Sequence, residues 1–144
     1  MTSQATIATV AIMNSSEDIV EAIQLLLDES GFHAVGAHVA DFKKGRRDFI
    51  AFCHEHHPQV IIIDIAPPYE ENWTFFQLLK NTQAAEGREF VLTTTNKDLL
   101  EKFVGKLEAI ELVGKPYDLE EIVTAVKKRL KALDSCSLDA QEAS

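Results

Sequence analysis

Val60-Ile61-Ile62-Ile63-Asp64-Ile65-Ala66-Pro67-Pro68 is an apolar run that meets one carboxylate and then a turn. Four consecutive β-branched residues suit a strand buried on both faces, because none of them needs water on either side. The two prolines cannot continue a hydrogen-bonded ladder, so Asp64 is left at the carboxyl mouth of that strand. Two other stretches end in the same way. Thr93-Thr94-Thr95 closes a second apolar run, and Gly114-Lys115-Pro116-Tyr117 places a lysine just beyond a third.

Outward from this strand, the chain alternates between two periodicities. Thr6 to Met13 is small, β-branched and apolar, and reads as a first strand ending at Asn14-Ser15-Ser16. Ser15 or Ser16 caps the helix that follows, and Glu17 and Asp18 suit its first turn, where the backbone dipole attracts negative charge. Ile19, Ala22, Ile23, Leu26 and Leu27 recur at helical spacing until Gly31 stops them. Phe32 to Ala40 is a second strand. Asp41 to His56 is a second helix, with Phe42, Phe49, Ile50 and Cys53 inward. After the strand Gln59 to Ile65, a helix from Trp73 to Gln83 carries Phe75, Phe76, Leu78 and Leu79 inward. Phe90 to Thr95 is the fourth strand, Asp98 to Leu107 a helix and Ile110 to Gly114 the fifth strand. Asp118 then caps a last helix bearing Ile122, Val123, Val126, Leu130 and Leu133. Strict alternation of strand and helix predicts an α/β domain, a five-stranded parallel sheet with helices on both faces. It spans residues 1–133, and the small polar residues 134–144 read as a flexible C-terminal tail.

Composition agrees with this class and excludes others. The chain has 144 residues, 46% of them hydrophobic and 26% charged, which suits one packed domain rather than a disordered segment. A net charge of −9 argues against nonspecific nucleic-acid binding, which needs a basic surface. No apolar run approaches the roughly 20 residues of a membrane helix, and the first residues carry no signal-peptide pattern, so a cytoplasmic location is expected.

In open parallel sheets, ligands bind beyond the carboxyl ends of the strands. Asn14-Ser15, Asp64, Thr94 and Lys115 all fall at such ends, so four distant positions are expected to share one pocket. In their order and spacing they resemble the receiver domain of bacterial two-component response regulators: Asp64 with Pro68 four residues on, then Thr94, then Lys115-Pro116 opening onto Tyr117. The resemblance covers residues 5–133 and implies the flavodoxin-like strand order 2-1-3-4-5. It implies that Asp64 accepts a phosphoryl group from a histidine kinase or phosphotransfer protein. The ammonium of Lys115 would then offset phosphoryl charge, and the hydroxyl of Thr94 would donate to a phosphoryl oxygen. Such a protein is a signalling phosphoacceptor rather than an enzyme acting on a separate substrate.

Several departures from the family pattern bear on the chemistry. Where the family has two adjacent acidic residues that hold Mg2+, this chain has Asn14 and Ser15. Asp64 is then the one charged ligand left for the metal, which predicts a weak or absent Mg2+ site. Glu17, Asp18, Glu70 and Glu71 are candidate substitutes, although exposed acids at helix starts are ordinary. The family's acidic-glycine pair appears as Glu71-Asn72, and asparagine preserves the turn. Leu112 stands where the family often has an aromatic, so the signal is expected to travel differently to the last two strands and helices.

Other motifs read more plainly. Cys53-His54-Glu55-His56-His57 matches no standard zinc spacing and suits a helix end. Trp73, Phe75 and Phe76 read as packing. Lys43-Lys44-Gly45-Arg46-Arg47 reads as a solvated face, available to an acidic partner. No glycine-rich phosphate loop follows the first strand, which disfavours a nucleotide-binding enzyme of similar topology. Two functions follow. One is a stand-alone receiver that signals through contacts with a downstream protein partner. The other is a pseudo-receiver, an interaction module that works without phosphorylation because its metal site is dismantled. The stripe from Ile122 to Leu133 also permits a homodimer.

Overall fold

The computed structural model describes residues 7–104, 110–114 and 118–143. Its strands are β1 (Thr9–Asn14), β2 (His33–His38), β3 (Val60–Ile65), β4 (Glu89–Thr94) and β5 (Ile110–Gly114). The helices are α1 (Glu17–Glu29), α2 (Val39–Lys43), α3 (Phe49–His56), α4 (Tyr69–Lys80), α5 (Lys97–Val104) and α6 (Leu119–Ala143). All strand pairs are parallel and the order is β2-β1-β3-β4-β5.

Period-two alternation divides the core into two layers. Ala11, Met13, Ile61, Ile63, Phe90 and Leu92 face the side covered by α2 to α5, where Phe42, Phe52, Trp73 and Phe76 pack on them. Val10, Ile12, Val60, Ile62 and Val91 face the other side, under Val20, Ile23 and Leu27 of α1 and Ile122, Val123 and Val126 of α6. The inner strand β3 is buried at all six positions, as its unbroken apolar run requires. A sheet sealed on both faces leaves the strand ends as the place where polar side chains gather.

The second helix is broken where sequence periodicity reads it as continuous. Gly45 takes a positive φ of 75°, and Asp48 then caps α3 by accepting from the Ile50 N–H at 3.1 Å. The restart changes the helical phase, so Phe52 is buried and Ile50 is 46% exposed rather than inward. Helix α4 begins at Tyr69 rather than Trp73, with Glu70 and Glu71 in its first turn. Its buried residues are Trp73, Phe76 and Leu79, while Leu78 is 65% exposed. Helix α6 continues through Ala143, where a flexible tail was expected from residue 134. Residues 134–143 contain neither glycine nor proline, so no local signal ends the helix.

Candidate functional site at the carboxyl end of the sheet

Among the described residues, four polar or charged side chains are buried: Asn14, Asp64, Thr93 and Thr94. All four close the carboxyl ends of β1, β3 and β4. An apolar core has no use for such groups unless they are bonded or needed.

Asp64 is 8% exposed, and one of its oxygens, Oδ1, accepts from the Thr93 hydroxyl at 2.6 Å. That bond follows from register. Asp64 lies beside Thr93 in the parallel β3–β4 pair, and residues in register point to the same face. Thr94 has the opposite parity, and its Oγ1 accepts from the Asn96 N–H at 3.3 Å. Asn96 in turn accepts from the Leu99 N–H at 3.1 Å, capping α5. The hydroxyl bonded to Asp64 is therefore that of Thr93, while Thr94, the residue expected to donate to a phosphoryl oxygen, turns its own toward the Asn96 N–H. Locating the Thr93 hydroxyl requires the register between two strands, which neither strand specifies alone.

Asn14 turns its amide oxygen into the start of α1, accepting from the N–H groups of Ser15 at 2.7 Å and Ser16 at 3.0 Å. Ser16 is the cap, its Oγ accepting from the Ile19 N–H at 3.4 Å. Ser15 is left to line a cavity of about 240 Å3 together with Asp64, Ala66, Asn72, Phe75 and Lys43. Asp64 is the single carboxylate among the described residues of that lining. The substitute acids are placed elsewhere. Glu17 meets His38 Nε2 at 3.1 Å, Glu71 stands 3.9 Å from Lys43 Nζ, and neither they nor Asp18 and Glu70 line the cavity.

Lys115, Pro116 and Tyr117 lie outside the described residues, as does the side chain of Leu112. The backbone of β5 runs parallel beside β4, pairing Thr94 with Gly114. Gly114 is the residue before Lys115, so that position follows a strand neighbouring the site. An added Cβ at Gly114 would meet Lys97 Cβ at 2.9 Å, so the first turn of α5 packs close against the end of β5. Across the mouth, the Tyr69 hydroxyl and Thr95 Oγ1 share a hydrogen bond of 2.6 Å.

The Cys53 to His57 stretch forms the end of α3. Cys53 is buried, the His56 ring lies 4.7 Å from that of Phe52, and His57 closes the helix in left-handed conformation. Among the described residues no group of three or more His, Cys, Asp or Glu side chains could hold a metal ion, and no helix is long and apolar enough to cross a membrane.

With this geometry established, comparison with known proteins is informative. No family model matches the chain. Protein PilG of Pseudomonas aeruginosa is 24% identical over 119 residues, covering 82% of this chain and 84% of PilG. A CheY-like receiver domain protein of Methanospirillum hungatei superposes with a TM-score of 0.70 at 13% identity, covering 90% of this chain and 98% of that one. The chemotaxis protein CheY4 of Vibrio cholerae does so with a TM-score of 0.67 at 20% identity, covering 85% and 98%. The fold is that of the CheY-like response regulator receiver domain, a flavodoxin-like α/β sheet of order 2-1-3-4-5.

Proposed function

We propose that the chain is a receiver module that accepts a phosphoryl group on Asp64 from a histidine kinase or phosphotransfer protein and signals through contacts with a downstream protein. One observation carries this reading: the buried polar side chains gather at a single end of the sheet, around a carboxylate that opens onto a cavity. A carboxylate needs only positioning and charge compensation to act in phosphoryl transfer. Thr93 holds the Asp64 oxygen in place, and Lys115, next in sequence after Gly114, supplies positive charge. The likeness to receiver domains and to PilG supports the same assignment.

The second reading, an interaction module independent of phosphorylation, is favoured by the Asn14 amide oxygen, committed to the α1 N-terminus where a metal-binding acid is expected. Acetyl phosphate with intact-mass measurement separates the two. Wild type gaining one phosphoryl mass, with Asp64→Asn gaining none, establishes the first reading. Wild type remaining unmodified while keeping its fold and a protein partner establishes the second.

A further inference from the structure

The basic stretch after β2 reads in sequence as a solvated face, yet Lys43 is drawn out of it. Its side chain is 31% exposed, its ammonium donates to Asn72 Oδ1 at 2.5 Å and stands 3.9 Å from Glu71 Oε1, and it lines the cavity of Asp64. Asn72 is itself held, donating through Nδ2 to the Ala66 carbonyl at 2.7 Å. The break between α2 and α3 ends the helix at Lys43, so this lysine occupies the last turn beside the cavity. Its neighbours do not line the cavity: Arg46 pairs with Asp41 at 3.7 Å, and Arg47 lies over the rings of Phe42 and Phe52 at 5.5 and 4.9 Å.

Three oxygens at or near the cavity are already engaged by the chain. Asn14 Oδ1 accepts two backbone N–H groups, the Ala66 carbonyl accepts the Asn72 amide, and Asp64 Oδ1 accepts Thr93. Magnesium demands near-octahedral oxygen coordination and usually at least one carboxylate with several waters. One carboxylate, with the Asn14 and Ala66 oxygens engaged and an ammonium lining the same cavity, is a poor fit to that ion. It is a better fit to an oxyanion. A lysine head is a compact charge with three donors, one of which meets Asn72 here.

We propose that Lys43 takes the place of the divalent cation, so that Asp64 accepts a phosphoryl group without metal. This rests on the receiver reading above. In the step, an Asp64 carboxylate oxygen attacks phosphorus, and the bond from phosphorus to the donor's bridging atom breaks, a nitrogen in phosphohistidine and an oxygen in acetyl phosphate. With acetyl phosphate the leaving acetate carries away that electron pair, and no proton is transferred. Lys43 offsets charge on the phosphoryl oxygens during the exchange.

The test uses the full chain with acetyl phosphate, in EDTA and in Mg2+, read by intact mass. Wild type, Asp64→Asn, Lys43→Gln and Lys43→Arg are compared, with circular dichroism to verify folding. A parallel Mg2+ titration follows the Asn72 side-chain amide by NMR. Wild type is expected to gain one phosphoryl mass in EDTA at a rate that Mg2+ leaves unchanged, with no shift of the Asn72 signals. Lys43→Gln is expected to slow the gain about a hundredfold, and Lys43→Arg to restore much of it. Modification of wild type that requires Mg2+ overturns the proposal and leaves the receiver reading standing. So does a folded Lys43→Gln variant that reacts at the wild-type rate in EDTA. Absence of modification under both conditions overturns this proposal together with the receiver reading on which it rests.

Discussion

At the carboxyl end of the sheet, Asp64 is buried beside a hydroxyl and opens onto a cavity. At the amino end, Glu89 is half-buried beside a guanidinium, with Arg129 Nη1 3.1 Å from its Oε1 and the two side chains 13% and 11% exposed. The sheet thus places one acid at each end in different company. Glu89 is neutralised by a direct ion pair, and around it the chain is tied together. Arg88 donates to the carbonyls of Ala84 and Pro58 at 2.7 Å each and of Cys53 at 3.4 Å. Gln59 accepts from the Thr9 N–H at 2.7 Å. The amino end spends its polar groups on closure, whereas the carboxyl end holds a carboxylate within reach of a ligand.

That contrast can be broken from either side. The largest effect on stability is expected at the amino end. Arg129→Met leaves Glu89 without its guanidinium and should cost about 3–5 kcal/mol in urea unfolding, while the folded fraction still accepts a phosphoryl group. Arg88→Met removes a charged donor from three carbonyls and should cost about 2–3 kcal/mol, again without altering the chemistry of Asp64. Thr93→Val reverses the pattern. It should cost about 1.5 kcal/mol, yet change the rate of modification at Asp64 measured by intact mass. An unchanged rate would remove Thr93 from the site and return its hydroxyl to a purely structural role.

The smallest effect is a pH dependence that sharpens the comparison. Burial pushes the Glu89 carboxyl above its ordinary 4.5, and Arg129 and then Lys80 oppose this only in part. A raised native value means that the folded chain holds this proton after the unfolded chain has released it. The resulting contribution is present below pH 4.5 and is lost as pH rises through the native value. The stability difference between wild type and Glu89→Gln should therefore fall as pH increases from 4 to 7 in parallel urea titrations. A difference that grows with pH would mean that attraction to Arg129 outweighs burial.

Much of this architecture was legible in the amino-acid order. The β3 run, the alternation of periods and the position of Asp64 follow from local patterns, and the strand order followed from a family resemblance that the fold confirms. The details that depend on distant partners were not legible. Ile50 fits an inward helical phase in sequence, but the actual start of α3 turns it outward. Thr93 and Thr94 are chemically identical neighbours, and only the register of β4 against β3 distinguishes them. Lys43 belongs to a run of exposed cations, and nothing nearby in the chain foretells its bond to Asn72, which is 29 positions away.

Helix α6 has a mechanical consequence of its own. A six-residue strand is about 20 Å long, whereas 25 helical residues rise about 37 Å, so this rod outreaches the sheet on which it lies. A ten-residue peptide alone would rarely coil, because the first turn is costly to nucleate. Here Ile122, Val123 and Val126 pin the early turns, and each later residue merely extends an existing spiral. Amide exchange along this rod should quicken gradually toward its far end instead of jumping at residue 134.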